Sequence, residues 1–397
     1  MSTQATLAQA DVVVIGAGIM GAAIAYQLNR QSDQRVVVID ERPPVGGMSG
    51  RTFGQIRLHY SNALMLRLAM RGYEVLANWS REVGYGDPGY VPMGYLLIVV
   101  EAQLEALNRN IELAQSLGIN TRFVGPDEIK AIEPAIKTET LAGGAFDPAG
   151  GYIDVTRMVL SWLTAAQENG VRLMSGLRAE AIETANGKVT GVATAQGLIE
   201  SPLVISATGP WGRELLSPLG VDVPLEARRL DMMYMRQPPN RAQIGCCITD
   251  GNSNVVIRPD MGRDLLAVAY PPEMPLMDDP NGPHSAQDEA DHLKRIQNSF
   301  AERLPDFCDA EPVRAVSGTY DTTPDWHPVL GWAPGIEGLY LAVGFSGHGL
   351  KLSPAIGEVA AAMVLGKEPA FDVRPLRAER FTEGEPMFLA YGPGARA

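Results

Sequence analysis

Cysteine is scarce in this chain of 397 residues: Cys246, Cys247 and Cys308 are its only three. They have neither the spacing of a disulfide framework nor that of a metal site. This usage is typical of a reducing compartment and excludes a disulfide-stabilised secreted fold. The five histidines include no pair at ligand spacing on a recognisable element. We therefore expect no metal centre.

Positive charge is also in short supply, because 33 basic residues face 46 acidic ones and the formal net charge is −13. That balance argues against a nucleic-acid partner or attachment to an anionic lipid surface. No apolar run approaches 18 residues, and residues 1–10 lack the basic residues and apolar core of a signal peptide. We expect a cytoplasmic protein without a transmembrane segment.

Internal repeats and low-complexity tracts are absent too, and the length predicts two domains. The spacing of apolar residues predicts helices from a cap at Ser61 or Asn62 to near Gly84, and over 102–117, 155–170 and 285–304. Strands are predicted at 171–174, 179–184, 189–194 and 203–206, with a hairpin at Asn186-Gly187 and further strand-like alternation over 228–270.

A short apolar run at residues 11–15 leads into Gly16-x-Gly18-x-x-Gly21, and a second apolar run ends at Asp40. The pattern predicts strand, tight turn, helix, strand and acid, which is the arrangement of a dinucleotide site. Gly16 permits the turn, Gly18 admits the pyrophosphate and Gly21 allows close packing of the helix. Asp40 suits a ribose with free hydroxyls, so FAD or NAD is favoured over NADP.

A second glycine-rich turn, residues 344–349, follows a predicted strand in the carboxyl-terminal quarter. We expect the next helix to open at Ser353, with Pro354 at its first position, and to end by Gly366. NAD does not need a second turn of this kind, whereas a long flavin dinucleotide needs a cradle for its ring. The strand at 203–206 also runs into a small turn, Ala207-Thr-Gly-Pro-Trp211.

With these motifs the chain resembles the D-amino-acid oxidase superfamily of FAD enzymes, most closely its sarcosine oxidase and glycine oxidase branch. The resemblance covers nearly the whole chain and includes Ser49-Gly50-Arg51, Tyr320-Asp-Thr-Thr-Pro-Asp325 and Gly344-Phe-Ser-Gly-His-Gly-Leu-Lys351. It implies an α/β fold: a Rossmann-like FAD-binding domain of the glutathione-reductase type and a substrate domain with a mixed β-sheet. The FAD-binding domain is assigned to 1–89, 149–220 and 313–397, and the substrate domain to 90–148 and 221–312.

The resemblance also implies which residues contact the cofactor. Besides Gly16, Gly18, Gly21 and Asp40 these are Met20, Arg42, Ser49, Gly50, Arg51, Ala179, Gly209, Trp211, Gly344, Ser346, Gly347, His348, Gly349, Leu350 and Lys351.

The implied activity is oxidation of the C–N bond of an amine or amino acid, with hydride transfer to flavin N5 and hydrolysis of the resulting imine. A substrate carboxylate calls for fixed cations. The resemblance suggests Arg57 and Lys351, with a surface ion pair and a solvated helix-flanking lysine as the alternatives. His59 and Tyr60 could border the pocket, although a purely structural histidine is equally compatible. His348 is expected beside the ring.

Two departures from the family pattern matter. Gly318 stands where covalently flavinylated relatives have a cysteine, so we expect non-covalent FAD. Ala267 aligns with a lysine that promotes the oxygen reaction in some relatives. Oxidase and dehydrogenase activity therefore both stay open, with oxygen, a quinone or another electron carrier as acceptor.

Other functions remain compatible with the sequence. The same fold can oxidise a 2-hydroxy acid, or can serve as a non-catalytic flavoprotein assembly factor, and a nicotinamide-only dehydrogenase is a further alternative. An amine oxidoreductase could act alone or as the flavin subunit of a heteromeric complex.

Overall fold

The computed structural model describes residues 5–241, 243–260, 264–271, 274–282, 286–387 and 390–391. In chain order its strands are β1 (Thr6–Gln9), β2 (Val12–Ile15), β3 (Val36–Asp40), β4 (Gln55–Ile56), β5 (Val91–Pro92), β6 (Tyr95–Ile98), β7 (Arg122–Val124), β8 (Gly144–Asp147), β9 (Gly151–Tyr152), β10 (Arg172–Ser175), β11 (Ala181–Ala185), β12 (Lys188–Thr194), β13 (Gly197–Glu200), β14 (Val204–Ser206), β15 (Glu226–Arg236), β16 (Cys247–Asp250), β17 (Val255–Asp260), β18 (Leu265–Ala269), β19 (Glu311–Thr322), β20 (Val329–Trp332) and β21 (Leu339–Val343).

The α-helices of the described residues are α1 (Ile19–Gln31), α2 (Ala63–Ala77), α3 (Trp79–Glu82), α4 (Leu104–Ser116), α5 (Pro126–Ile132), α6 (Val155–Glu168), α7 (Gly212–Leu216), α8 (Ala286–Arg303) and α9 (Gly349–Val364). The predicted hairpin is confirmed by positive φ angles at Asn186 and Gly187, and Asn62 and Asp154 cap α2 and α6 through their side chains. Ser285, the predicted start of α8, lies outside the described residues.

A six-stranded sheet in the order β10-β3-β2-β14-β21-β20 forms the centre of the fold, and only β20 is antiparallel to its neighbour. Its interior strands β2 and β21 are continuous apolar runs because both faces of the sheet are covered. Val12 and Val14 pack towards α1, α6 and α9, whereas Val13 and Ile15 pack towards a four-stranded sheet in the order β1-β13-β12-β11. The mixed α/β, Rossmann-like architecture is thus confirmed.

A mixed eight-stranded sheet in the order β19-β15-β18-β17-β16-β6-β8-β7 is the second large sheet, and only β16 and β6 pair in parallel. One face packs on α8 through Phe300, and the other carries Leu230, Val256 and Ala269. The proposed domain division stays a prediction, and its boundary at 312/313 falls within β19.

The predicted start of the last helix is wrong. Helix α9 begins at Gly349, so Pro354 lies inside it rather than at its first position. Proline has no N–H to donate to the carbonyl of Leu350, and the Ser353 hydroxyl donates to that oxygen instead, at 2.8 Å. Gly72 of α2 approaches the same turn so closely that an added Cβ would lie 2.0 Å from the Lys351 carbonyl oxygen.

The helix predicted to run to Gly84 is interrupted as well. Helix α2 ends at Ala77, and α3 follows only after Asn78. The Asn78 amide side chain donates to the carbonyl oxygen of Glu74. This competition for backbone hydrogen bonds is the usual reason that asparagine ends a helix.

Candidate active site

A trough follows the carboxyl ends of β2, β3 and β14 and continues to the start of α9. It consists of a cavity of about 330 Å³ lined by Gly16, Asp40 and Trp211, and a cavity of about 130 Å³ lined by Arg51, Tyr320 and Gly349. The two share the walls Gly18, Met48, Ser49, Ala207 and Gly209. The carboxyl edge of a parallel sheet is where such folds bind ligands.

Three glycines shape the first end of the trough. Gly16 has a φ of 111°, and a Cβ on it would lie 2.4 Å from the Ala207 carbonyl oxygen. A Cβ on Gly21 would lie 1.8 Å from the Gly16 carbonyl oxygen. Gly18, at the junction of the two cavities, would bring a Cβ to 2.9 Å from Ser49 Oγ, the atom that accepts a hydrogen bond from the Ile19 amide. A side chain at Gly16 or Gly21 would collide with backbone, whereas one at Gly18 would displace the Ser49 hydroxyl.

Asp40 lies at the mouth of the larger cavity. Its two carboxylate oxygens accept hydrogen bonds from the amides of Ala17 and Arg42, both at 2.8 Å. Burial raises the pKa of Asp40, and these two hydrogen bonds oppose the rise. Each oxygen keeps a lone pair that can accept from a ligand hydroxyl.

Side chains close the rest of this cavity. The Arg42 guanidinium lies 4.4 Å from the centroid of the Trp211 ring, and Ala179 also lines the wall. Met20, Ser49, Arg51 and Gly209 line the second cavity. Gly50 does not line either of them, and its position is structural, since an added Cβ would lie 2.3 Å from the Val45 carbonyl oxygen.

The second glycine turn closes the far end of the trough. Gly347, Gly349 and Leu350 line it, whereas Gly344 and Ser346 hold the loop in shape. The carboxylate of Asp321 accepts a hydrogen bond from the Gly344 amide at 2.7 Å. The backbone carbonyl of Asp321 accepts one from the Ser346 amide at 2.9 Å. Burial raises the pKa of Asp321 to about 6.

Beyond this turn lies an inner cavity of about 40 Å³, lined by Gln55, Arg57, His348 and Lys351 among others. Arg57 is 6% exposed and Lys351 is 4% exposed, so the surface ion pair and the solvated lysine considered as alternatives are both wrong. The Tyr60 ring has the Arg57 guanidinium 4.8 Å and the Lys351 Nζ 5.9 Å from its centroid. The structure thus brings two buried cations to one small cavity.

His59 and Tyr60 do not line the inner cavity but lie behind it. The His348 ring packs on Tyr60 at 5.4 Å between centroids, and His59 Nε2 is 2.9 Å from the Tyr391 hydroxyl oxygen. Burial, assisted by the charge of Arg57, lowers the pKa of His59 to about 3. His59 is therefore neutral near pH 7.

The backbone just before His59 is held by a buried acid that the sequence did not single out. The carboxylate of Asp147 accepts hydrogen bonds from the Leu58 amide at 2.8 Å and from the Ala149 amide at 3.0 Å. Burial raises the pKa of Asp147 to about 6, although these hydrogen bonds lower it.

An outer cavity of about 280 Å³ opens beside the inner one and shares Gln55, Arg57 and Val256 with it. Leu97, Val99 and Tyr391 also line it. Gln55, Val256 and Tyr391 were missed by sequence reasoning. Gln55 lies only two residues before Arg57, so proximity could have indicated it, whereas no local signal marks the other two.

The position aligned with an oxygen-activating lysine lies on the sheet face that carries the inner cavity. Ala267 is buried in β18 beside Phe53 and Leu230, and Ala269, two residues further on, lines the cavity. Arg258 pairs with Ala267 across the sheet, with its guanidinium 5.9 Å from the Phe53 ring centroid. A buried cation thus stands near the position that lacks the lysine.

Two other kinds of feature are absent from the described part of the chain. No group of three or more histidine, cysteine, aspartate or glutamate residues is arranged to hold a metal ion there. Among the same residues, no helix combines the length and the apolar character needed to cross a membrane.

Comparison with known proteins agrees with this geometry. Residues 11–363 match the family model described as FAD dependent oxidoreductase. Peroxisomal sarcosine oxidase of Homo sapiens is 25% identical, over 94% of this chain and 96% of that protein. The mitochondrial pyruvate dehydrogenase phosphatase regulatory subunit of Mus musculus is 24% identical over 94% of this chain, but the chain spans only 43% of its length.

Among solved structures, L-proline dehydrogenase from P. horikoshii superposes with a TM-score of 0.87 and 25% identity, over 96% of this chain and 100% of that one. The trough suits FAD, because glycines stand where a Cβ would collide and Asp40 keeps acceptor capacity at its mouth. The chain belongs to the D-amino-acid oxidase superfamily of FAD-dependent oxidoreductases, as its motifs indicated.

Proposed function

We propose that the protein oxidises the C–N bond of an amino acid whose carboxylate is bound by Arg57 and Lys351. The observation that carries this proposal is the inner cavity, where both cations are buried next to the second glycine turn. Among the described residues, no carboxylate oxygen lies within 4.0 Å of the Arg57 guanidinium. A buried guanidinium without an internal carboxylate partner is a strong site for a ligand carboxylate.

The Tyr60 ring reduces the free-energy cost of burying Arg57 and Lys351 close together. Its ring presents a face with negative quadrupole to Arg57 and to Lys351, which offsets part of their mutual repulsion. Two positive charges in a small buried cavity also disfavour a third positive charge. Arg57 and Lys351 therefore lower the pKa of a substrate ammonium group and favour the free amine, whose lone pair is needed for oxidation to an imine.

FAD, when bound, would supply a two-electron acceptor for oxidation of the C–N bond, and hydrolysis of the resulting imine would give the carbonyl product. The chain supplies orientation and charge. Gly16, Gly18 and the first turn of α1 would hold the pyrophosphate, Asp40 the ribose, and Gly347 to Leu350 the ring end. His59 remains neutral, so it adds no positive charge to the carboxylate site.

The proposal includes non-covalent attachment of FAD. Gly318 lines the trough beside the Arg51 backbone, and Cys246, Cys247 and Cys308 all lie outside the residues that line it. Acid precipitation of the purified protein is therefore expected to release unmodified FAD into the supernatant. Yellow colour retained by the precipitated polypeptide would contradict this part of the proposal.

The decisive experiment is anaerobic bleaching of the bound flavin, since it requires neither a known acceptor nor a known product. The panel contains sarcosine, N-methyl amino acids, both enantiomers of common amino acids, proline and 2-hydroxyglutarate. Bleaching by an amine-bearing carboxylate is the expected result. Bleaching by the hydroxy acid alone would point to a 2-hydroxy-acid dehydrogenase, and a full complement of FAD that no compound bleaches would point to a non-catalytic flavoprotein.

We propose a soluble, cytoplasmic enzyme that passes electrons to a quinone or another electron carrier, with oxygen as the slower acceptor. It acts alone or as the flavin subunit of a complex, and the regulatory subunit found among its relatives supports the second arrangement. Size-exclusion chromatography of the protein expressed in its native host would distinguish the two arrangements.

A further inference from the structure

We propose that the outer cavity receives the substrate's side chain, so that the enzyme prefers amino acids with a bulky, apolar side chain over glycine and alanine. This inference rests on the proposed function, because the carboxylate anchored at Arg57 and Lys351 sets the position of the rest of the substrate.

The sizes of the two cavities make the first argument. The inner cavity, at about 40 Å³, has room for about three water molecules. That is enough for a carboxylate and the atoms next to it, but not for a side chain of four or more heavy atoms. The outer cavity is about 280 Å³, and Arg57 lies on the shared wall. Since FAD would fill the trough, with which the inner cavity shares Tyr320, Gly347 and Leu350, a substrate held at Arg57 would extend into the outer cavity.

The lining of the outer cavity gives the second argument. Leu97 of β6, Val99 just after that strand, and Val256 of β17 are buried apolar side chains. Among the described residues that line the cavity, the charged ones are Arg57 and Asp250. The carboxylate of Asp250 is already engaged by Arg303 and Ser253, both at 2.6 Å. A cationic side chain would find no free counter-ion in this lining, whereas an apolar one would be desolvated favourably.

Tyr391 provides one wall and is itself held in place. Its hydroxyl is hydrogen-bonded to His59 Nε2, and the two rings stack at 6.0 Å with 13° between their planes. The neighbouring Ala390 amide donates to Ser61 Oγ at 3.2 Å. Residues close to the carboxyl terminus are thereby attached to the segment that carries Arg57, and Tyr391 limits how far a side chain can extend.

The first test compares kcat/KM for glycine, alanine, leucine and phenylalanine, each amino acid with a side chain tested as both enantiomers. Each additional buried CH₂ contributes about a fourfold preference, so leucine should exceed alanine by roughly 10- to 60-fold. Equal values, or a preference for the small substrates, would overturn the inference.

A filling variant tests the location of the side chain. Val99→Phe should reduce the ratio of kcat/KM for leucine to that for alanine at least about tenfold, by occupying the volume of the outer cavity. Val313→Phe makes the same change at a position on β19 that is 45% exposed, and it should leave the ratio unchanged. An unchanged ratio in folded, FAD-containing Val99→Phe would contradict the assignment.

Two further measurements keep the inference testable. Tyr391→Ala should shift the preference towards still larger side chains, whereas Tyr391→Phe, which keeps the ring, should not.

Calorimetric binding of 4-methylpentanoate and acetate needs no turnover, and the larger acid should bind at least about tenfold more tightly. If no amino acid bleaches the flavin, the proposed function fails, and the relative affinity of these two acids still decides whether the outer cavity takes apolar groups.

Discussion

The two ends of the trough are built on different principles. At the end that carries Gly16 and Asp40, glycine backbone and one carboxylate shape the site, and Ala207 and Trp211 complete its wall. At the other end, the inner cavity combines side chains from distant parts of the chain, including Arg57, Val256, Ala269 and Lys351. The first end depends on space for a backbone turn, and the second depends on buried charge. Mutations should therefore separate loss of cofactor from loss of substrate binding.

The largest expected effect is at the backbone end. Gly18→Val should reduce the FAD content of the purified protein by at least about tenfold, because a Cβ there meets Ser49 Oγ and a branched side chain would enter the junction of the two cavities. Gly125→Val is a matched control, since nothing lies within 4 Å of a Cβ at that position. Absorbance at the flavin maximum relative to protein gives the result. Normal flavin in Gly18→Val would remove the basis for the cofactor assignment.

At the inner cavity, mutations should weaken substrate binding and leave cofactor binding unchanged. Arg57→Met and Lys351→Met should each raise the apparent KM by about 30- to 150-fold, which corresponds to the roughly 2–3 kcal/mol of a charge-assisted hydrogen bond. Flavin content should stay near that of the parent. Arg81, 72% exposed at its side chain, provides a control in which Arg81→Met changes neither quantity. Parental kinetics in both site variants would mean that the substrate is anchored elsewhere.

The electron acceptor sharpens the comparison further. A fixed cation beside a reduced flavin stabilises developing superoxide, and Ala267 leaves the aligned position without one. We expect the substrate-reduced enzyme to reoxidise about tenfold more slowly in air than with an artificial quinone. Stopped-flow absorbance under each acceptor measures this, and rapid stoichiometric formation of hydrogen peroxide would refute it.

Lysine substitutions on β18 test the position itself. Ala267→Lys should speed the oxygen reaction while leaving anaerobic flavin reduction largely unchanged. Ala269→Lys is the comparison, because Ala269 lines the inner cavity whereas Ala267 packs beside Phe53 and faces Arg258 across the sheet. No effect from Ala267→Lys would show that the aligned strand is misplaced or that Arg258 already supplies the charge.

The same contrast explains what the sequence could reveal. A dinucleotide turn is a local pattern, so Gly16, Gly21 and Asp40 were identifiable from spacing and backbone requirements alone. The start of α9 was not, because the missing N–H of Pro354 is compensated by Ser353 within the helix, and close packing of Gly72 accompanies it. Such tertiary support outweighs the usual position of proline at a helix start.

The inner cavity was predictable only where the family resemblance supplied a residue. The resemblance named Arg57 and Lys351, but their burial could not be predicted, because burial depends on how the sheets and α9 meet. Tyr391 carried no signal at all. It is held at the outer cavity by its own contact with His59 and by the hydrogen bond of the neighbouring Ala390 amide to Ser61, both across more than 300 residues of sequence.

The final prediction concerns stability against pH, where the two buried groups flanking Leu58 act in opposite directions. The folded protein holds the pKa of His59 at about 3 by burial, below the ordinary value of 6.5. His59 therefore contributes stability that is present above pH 6.5 and lost as the pH falls towards 3. Burial raises the pKa of Asp147 to about 6 from 3.8, so its contribution is present below pH 3.8 and lost as the pH rises through 6.

Between pH 4 and 6 these contributions oppose each other, and removing one group should expose the other. Relative to the parent, the free energy of unfolding of His59→Gln should fall less steeply as the pH is lowered, by about 1.4 kcal/mol per pH unit. In Asp147→Asn the slope should change by a similar amount with the opposite sign. Urea unfolding at several pH values in this window measures both. Slopes that change in the same direction in the two variants would show that these groups do not titrate as their burial requires.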